Sequence, residues 1–526
     1  MKHACRRVLV LGALLLPGTA RAQSFAVVLG KDTIAVERFT RTADRLDGEL
    51  KTRGIGPRIK YSLQLSGGMP AVLRTSAYRG DADSTLFQSA VLTFKGDSVI
   101  ADISSPQGQT VTQRIASKAG AFPFINPSFA MWEPVFERVR SMSADPVTVQ
   151  LFTVSGGQTF PATIKRFGGD SAIVSISGVD MNVRVNERGD IVGATVPSQN
   201  LRVIRSAGAL DLVTPPPDYS APRGAAYTAQ AVTITAPAGH KLAGTLTMPR
   251  QHKARVPVVV TISGSGQQDR DESLSIVPGY KPFRQIAEAL AARGIATLRY
   301  DDRGFGASGG DAARATSQDF ADDVRGVLHY LLARPDIDAG NIFLLGHSEG
   351  AMIAPMVAAS DATVRGIVLM AGPSRTGRRI LEYQNRYTID RQPGMTPAHR
   401  DSLYRNALTM LDSIGAAQAW LHYFLSYDPL QTAGRVRAPV LILQGATDRQ
   451  ITADQAAELA AAFRRAGNRD VSVHVLPGVN HLFLADPDGN PAMYSSLKDR
   501  KVVANAVELI TDWVVKHASA TARPSK

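Results

Sequence analysis

At 526 residues, 44% of them hydrophobic and 20% charged, the chain is long enough for two or three domains and has a globular composition, not a disordered or membrane-embedded one. A formal net charge of +13 would suit a polyanionic partner, but arginines alternate with acidic residues throughout and no basic run reaches five or six residues, so nucleic acid is not the expected partner. The only cysteine is Cys5, which leaves no thiol nucleophile and no disulfide framework to a chain that loses its N-terminal segment.

That loss is expected. Lys2, His3, Arg6 and Arg7 precede an apolar stretch over 8–16, and Ala20-Arg21-Ala22 follows, so residues 1–22 read as a secretory signal peptide. The apolar stretch is too short to span a bilayer, and nothing later supplies the roughly twenty apolar residues that a spanning helix requires. The expected product is an exported protein, periplasmic or secreted, with no membrane span.

Residues 24–212 alternate apolar and polar positions. Runs over 25–29, 32–39, 59–65, 97–103, 147–153, 160–166, 171–176, 181–186 and 191–195 predict short strands, and Glu187-Arg188-Gly189-Asp190 predicts a turn. Half-buried strands at this spacing call for a second sheet or for barrel closure, so an antiparallel all-β domain, sandwich or open barrel, is expected. It contains no metal-ligand spacing and no catalytic pattern. Pro215, Pro216 and Pro217 stiffen a linker over 213–229.

From residue 230 to the end the periodicity changes. A hairpin over 232–248 leads into a buried strand over 258–262; further strands are predicted over 295–300, 342–345, 364–370, 440–443 and 471–476. Between them Phe283, Ile286 and Leu290, then Phe320, Val324, Val327 and Leu331, and finally Val503, Val507, Ile510 and Val514 recur at helical spacing. Strands alternating with helices imply a mostly parallel sheet covered on both faces. Thr452 and Gln455 have the spacing of a capping box, and Pro355 is expected to kink the helix after residue 349.

The chemistry is concentrated at strand ends. Gly346-His347-Ser348-Glu349-Gly350 directly follows the apolar run 342–345, the arrangement of a nucleophilic serine on a sharp strand-to-helix turn. A serine hydroxyl needs a base, and the base needs an orienting carboxylate. Asp448 and His481 lie 100 and 133 residues downstream, each just past a predicted strand. In an open parallel sheet those ends share one edge, where ligands collect. The Gly-rich loop after strand 258–262, Ser263-Gly264-Ser265-Gly266, is the expected source of one oxyanion amide, Ser265 with Gly266 beside it, and Glu349 supplies the other. Gly304-Phe305-Gly306-Ala307-Ser308-Gly309 matches a dinucleotide fingerprint, but Asp301 and Asp302 beside it would repel a pyrophosphate, so no cofactor is expected, and no metal.

Ser263 to Asp271, Arg299 to Gly309, Gly346 to Gly350 and Asn480-His481-Leu482-Phe483 together resemble the α/β-hydrolase superfamily, and within it bacterial esterases related to the serine aminopeptidase and prolyl-oligopeptidase branches. The likeness covers roughly residues 225–516. It implies Ser348, Asp448 and His481 as a catalytic triad and residues 374–434 as a helical cap. Within that insertion Tyr383, Tyr387, Tyr404, Trp420, Tyr423, Phe424 and Tyr427 are expected mainly to pack the cap itself, with one or two of them lining the acyl pocket.

The expected function is hydrolysis of small carboxylic esters through an acyl-enzyme. An aminopeptidase on the same triad is the alternative, with Glu382 or Glu349 as the group that would hold a substrate amine, although Glu349 is expected to pair with an arginine such as Arg303. A third reading makes the chain an envelope-binding module with a vestigial triad.

Overall fold

The computed structural model describes residues 22–519 apart from 54–56, 79–85, 105–107, 109, 177–178, 213–216, 252–254, 275, 313 and 393–394. The signal-peptide reading and the head of the Pro-rich linker lie outside the described residues. The chain divides into two compact units, with the main division between Val213 and Thr214.

The first unit is one 15-stranded hydrogen-bonded sheet. Strand Gln23–Leu29 lies near its middle, antiparallel to Asp32–Arg41 on one side and to Leu201–Ser206 on the other. From there the sheet meanders outward to edges at Thr110–Ala116 and Phe122–Phe124. Among the described residues the one parallel pairing is Phe122–Phe124 with Val147–Thr153. No second sheet covers this one among the described residues. The ladder instead curls so that its two wings share a core: Phe94 from one wing meets Phe152 from the other edge-on, at 5.9 Å between ring centroids. The open barrel is therefore the better description, and the sandwich is not formed. Helix Glu133–Arg140 was not expected; it fills this core with Trp132, Val135, Phe136 and Val139, whose spacing is that of one helix face.

In the second unit, strands β1 (Tyr227–Thr235), β2 (Lys241–Pro249), β3 (Val256–Ile262), β4 (Ala296–Tyr300), β5 (Ile337–His347), β6 (Val364–Met370), β7 (Val440–Gly445) and β8 (Val471–Leu476) form an eight-stranded sheet. Its order is β1-β2-β4-β3-β5-β6-β7-β8. β2 runs antiparallel to both its neighbours, and every pairing from β4 to β8 is parallel. The strands read as unbroken apolar runs because alternate residues serve opposite layers. Val258, Val260, Leu344 and Ile442 join one core, while Val259, Phe343, Leu345, Leu441 and Leu443 join the other.

Helices α1 (Pro282–Ala292) and α9 (Ala504–Ser519) cover one face; α2 (Ser317–Leu332), α3 (Glu349–Ala358) and α8 (Asp454–Arg465) cover the other. A capping box opens α2, where Thr316 and Asp319 exchange side-chain and backbone hydrogen bonds. The box expected at Thr452 and Gln455 is not formed. α8 starts at Asp454 with Ala453 as its N-cap, so Gln455 falls too early in the helix and instead accepts the Ser374 N–H at 3.1 Å.

Among the described residues of the insertion four helices are present: α4 (Gly377–Asp390), α5 (Pro397–Ala417), α6 (Ala419–Ser426) and α7 (Pro429–Ala433). Ile380, Leu411, Leu421 and Phe424 form a small core seated on Met352 and Ile451. Trp420 stacks on Phe424 and Tyr423 on Tyr427, and Arg386 lies over the Tyr404 ring, while Tyr423 and Tyr427 also pack against the core beneath the sheet, so these aromatics serve both the cap's own packing and its seating. Among the described residues no helix is long and apolar enough to cross a membrane.

Candidate active site

β5 ends at His347 and α3 begins at Glu349, which leaves Ser348 as the whole connection. Its backbone takes φ 54° and ψ −114°, a conformation that a side chain rarely tolerates. The turn closes only because its neighbours lack side chains. A Cβ on Gly346 would lie 2.1 Å from the Gly350 carbonyl oxygen, and one on Gly350 would lie 2.1 Å from that of Ile262. The Ser348 N–H donates to the Met370 carbonyl at 2.9 Å, and Glu349 opens α3 with a first-turn amide that has no carbonyl four residues back.

Asp448 follows β7 and His481 follows β8. His481 Nδ1–H donates to Asp448 Oδ2 at 2.8 Å, and both residues are buried. Asp448 is held by three further donors: Gln444 Nε2 at 2.9 Å on the same oxygen, and the Gln450 and Ile451 amides at 2.8 and 2.9 Å on Oδ1. With its Nδ1 proton pointing at the carboxylate, a neutral His481 keeps its lone pair on Nε2. The two loops are stitched together. Thr447 N–H donates to Val479 O at 3.0 Å, and Thr447 Oγ1 donates to Asp486 O at 2.6 Å. Asn480 accepts the Leu482 and Leu484 amides on its side-chain oxygen, which fixes the turn that presents His481.

His347, beside the serine, makes contacts that the motif does not reveal. Its Nδ1 lies 2.9 Å from Glu272 Oε1 and its Nε2 lies 2.9 Å from the His481 carbonyl oxygen. Glu272 Oε1 also accepts the Gly264 N–H at 2.7 Å. Gly264 sits against Ser348, where an added Cβ would be 3.3 Å from Ser348 Cβ. Its amide is thus committed to Glu272. Ser265 and Gly266 follow as exposed loop positions, with Gly266 at φ +90°.

Glu349 does not pair with Arg303. Arg303 makes a two-pronged ion pair with Asp323, at 2.8 and 2.7 Å, and the Glu349 carboxylate instead accepts from Ser317 Oγ at 2.6 Å and from Trp420 Nε1 at 2.8 Å. Burial pushes the Glu349 carboxyl above its ordinary range despite those two donors. Burial raises Asp302 well above it too, against the Ser263 hydroxyl and the Gln268 amide that stabilise its charge. The loop 301–309 is a tight turn, closed by Gly304 N–H to Gly309 O at 2.9 Å, and α2 starts only at Ser317. Among the described residues no helix N-terminus directly follows the glycines, as a dinucleotide site would require.

Residues 279–488 match the family model described as serine aminopeptidase, S33. The chain is 27% identical to esterase EstD of Thermotoga maritima over 310 residues, 57% of this chain and 70% of that protein. It is also 27% identical to an uncharacterized protein of Mycobacterium tuberculosis over 202 residues, 38% of this chain and 57% of that one. A solved structure it resembles is the Pyrococcus furiosus esterase Pf2001, at 16% identity and a TM-score of 0.41, covering 59% of this chain and 98% of the other. These likenesses, with the order of the eight-stranded sheet, identify the fold of the second unit as that of the α/β hydrolases.

In this hydrolase the structure brings Asp448 and His481 into contact and sets Ser348 one residue from a side chain that bonds the His481 backbone. Sequence reasoning missed Gln444, Glu272, His347 and Trp420. Gln444 was detectable as a single amide in an otherwise apolar strand, where a buried polar group needs a partner. Glu272 closes the run Asp269-Arg270-Asp271-Glu272, whose charge density in a strand-end loop was the available signal.

Proposed function

We propose that this hydrolase cleaves carboxylic esters through an acyl-enzyme on Ser348. Ser348 Oγ attacks the ester carbonyl carbon while His481 Nε2 takes the hydroxyl proton. The charge that develops on the carbonyl oxygen is met by the amides of Ser265 and Glu349, with Gly266 giving the loop its freedom. Collapse breaks the ester bond, and the leaving alkoxide takes the proton from His481. Water then repeats the sequence on the acyl-enzyme and releases the acid. The observation that carries this reading is the His481–Asp448 hydrogen bond, which leaves Nε2 as the basic atom, taken together with a serine in a strained turn between strand and helix.

The family description favours a second reading, an aminopeptidase, which must hold a substrate ammonium on a free carboxylate. The cap acids are engaged elsewhere. Glu382 lies 3.8 Å from Arg378, Asp412 also pairs with Arg378, Asp390 and Asp401 pair with Arg386, and Asp428 caps α7 through the Leu430 amide. Glu349 is occupied by Ser317 and Trp420. Esters therefore remain the better substrates for this site.

The test has two parts. A fluorophosphonate should label the wild-type protein and not Ser348→Ala, and kcat/KM for p-nitrophenyl acyl esters, corrected for intrinsic reactivity, should exceed that for aminoacyl p-nitroanilides. Labelling retained in Ser348→Ala overturns the nucleophile; anilide preference lost in Glu382→Gln or Glu349→Gln transfers the assignment to the peptidase. Export is part of the same proposal, and mass analysis of the secreted protein should find Gln23 at its N-terminus.

A further inference from the structure

Glu272 and His347 are buried next to the nucleophile, and the chemistry proposed for Ser348 uses neither. Their partners lie on three different elements. Glu272 belongs to the loop after β3 and holds that loop's Gly264 amide. His347 is the last residue of β5, and its ring reaches the backbone of His481, the residue after β8 that serves as base. The ring also lies 5.0 Å from the His481 ring and 6.2 Å from Phe483. One carboxylate and one imidazole thus connect the oxyanion loop, the nucleophile strand and the base loop. Glu272 adopts φ 56°, a strained backbone for a glutamate, to make its contacts.

Both atoms facing the imidazole, a carboxylate oxygen and a peptide carbonyl oxygen, can only accept hydrogen bonds. Both ring nitrogens must then donate, which is the protonated form. Desolvation opposes that charge, but the Glu272 charge and its hydrogen bond outweigh it, and the His481 carbonyl and Asp448 add to the effect, so His347 titrates above its ordinary value. The groups facing the pair are the His481 ring and Asp448 from the base and acid loops, Asp302 at the end of β4, and Tyr280 in the segment before α1. Removing one proton from His347 would set a ring lone pair against one of the two oxygens. Either the oxyanion loop or the base loop then loses its anchor, and displacement of about 1 Å at either costs on the order of a hundredfold in rate.

We propose that Glu272 and His347 form a charged positioning pair that holds the oxyanion loop and the base loop in register on Ser348, and that loss of its proton sets the alkaline limit of turnover. The proposal rests on the serine-hydrolase reading. The sign follows from the direction of the shift. The protonated lock is fully present below the unfolded-state histidine value and is lost as pH rises through the folded His347 value, which lies higher, so kcat falls on the alkaline side while KM stays nearly constant.

The experiment is the kcat–pH profile of the full chain on a p-nitrophenyl ester, with active sites counted by fluorophosphonate in each sample. Glu272→Gln keeps an acceptor for both the Gly264 amide and His347 but removes the charge. Its alkaline limb should move to lower pH by about one unit or more, with kcat reduced about tenfold at pH 8 and KM within about twofold of wild type. His347→Gln keeps a donor for the His481 carbonyl and has no ring to titrate, so its kcat should be low and free of that limb. A merely structural role would lower kcat in both variants without moving the limb, and that result overturns the proposal. Nitrogen-15 spectra of histidine-labelled wild-type protein test the pair even if the variants fail to fold. An imidazole that keeps both nitrogens protonated to higher pH than an ordinary histidine is expected, and its absence overturns the pair. Failure of the fluorophosphonate to label wild type would instead remove the serine reading.

Discussion

Every hydrogen-bonding position on the Asp448 carboxylate faces a donor: His481 Nδ1–H and Gln444 Nε2–H on one oxygen, two backbone amides on the other. An asparagine there must turn its amide NH2 toward one of those donors. Either it gives up the backbone anchors or it forces the His481 proton onto Nε2, where the base needs a lone pair. Asp448→Asn should therefore fold with a near-normal Tm and lose kcat by up to about 10⁴, measured against titrated active sites. Glu349 gives the opposite case. Its carboxyl is pushed up by burial, so ionising it costs more in the folded protein than in the unfolded chain. Stability is then unaffected below the unfolded value and decreases as pH rises through the interval up to the folded one. Glu349→Gln removes that dependence and retains an acceptor for Ser317 and Trp420, so its Tm should exceed wild type at pH 8 and match it near pH 4. Thermal unfolding at the two pH values checks this. At this scale the sequence singled out the residues to which the proposed chemistry is assigned, because serine, acid and histidine fall at successive strand ends in a fixed order. It did not show their supports: Gln444, Glu272 and Trp420 act through contacts across 4, 75 and 71 residues, and the pairing of Glu349 with Arg303 was misjudged because Asp323 offered the guanidinium a better-matched carboxylate.

Elements were most legible where burial is two-sided. Strands β3, β5, β6 and β7 appear as apolar runs because each alternates between two cores, and the helices between them show as stripes at helical spacing. In the first unit, strands such as Arg45–Thr52 and Thr110–Ala116 were passed over, since charged or solvent-facing positions dilute their alternation. The helix Glu133–Arg140 was lost among them although its apolar spacing was present. Helix starts depended on which residue capped, and the box was expected at α8 when it stands at α2. What no periodicity could show is how closely the loops after β7 and β8 approach. A Cβ on Gly445 would fall 2.3 Å from the Val479 carbonyl oxygen and 2.7 Å from that of Asn480. Gly445→Ala must push the base loop away from the acid loop. It should destabilise the protein by about 1–3 kcal/mol and reduce kcat at least about tenfold, read from thermal unfolding and ester turnover.

For the whole molecule, the change from period two to alternating strands and helices marked two folding units, and each has a core drawn only from its own residues. The first unit's apolar cluster ends at Val203, and the clusters of the second begin at Val232. The role of the β unit was not legible, because a half-buried strand pattern records only the need to cover an apolar face. The boundary itself has a finer structure than a proline-rich linker suggests. Asp218 and Ser220 offer their carbonyls to the Arg284 guanidinium at 2.8 Å each, and Tyr219 lies under Arg270 with 4.1 Å from guanidinium carbon to ring centroid. Arg270 belongs to the same loop as Gly264 and is clamped on Asp301. The segment 218–220 is therefore part of the hydrolase unit and buttresses the loop after β3, the proposed oxyanion loop. A fragment beginning at Asp218 should unfold cooperatively and keep kcat/KM on a short-chain p-nitrophenyl ester within about threefold of the full chain. A fragment beginning at Tyr227 keeps all eight strands but lacks the Tyr219 buttress, and should show a lower kcat at similar KM. If the longer fragment is insoluble or inactive while the full chain turns over, the β unit completes the active site; if the two fragments are equally active, the oxyanion loop stands without Tyr219.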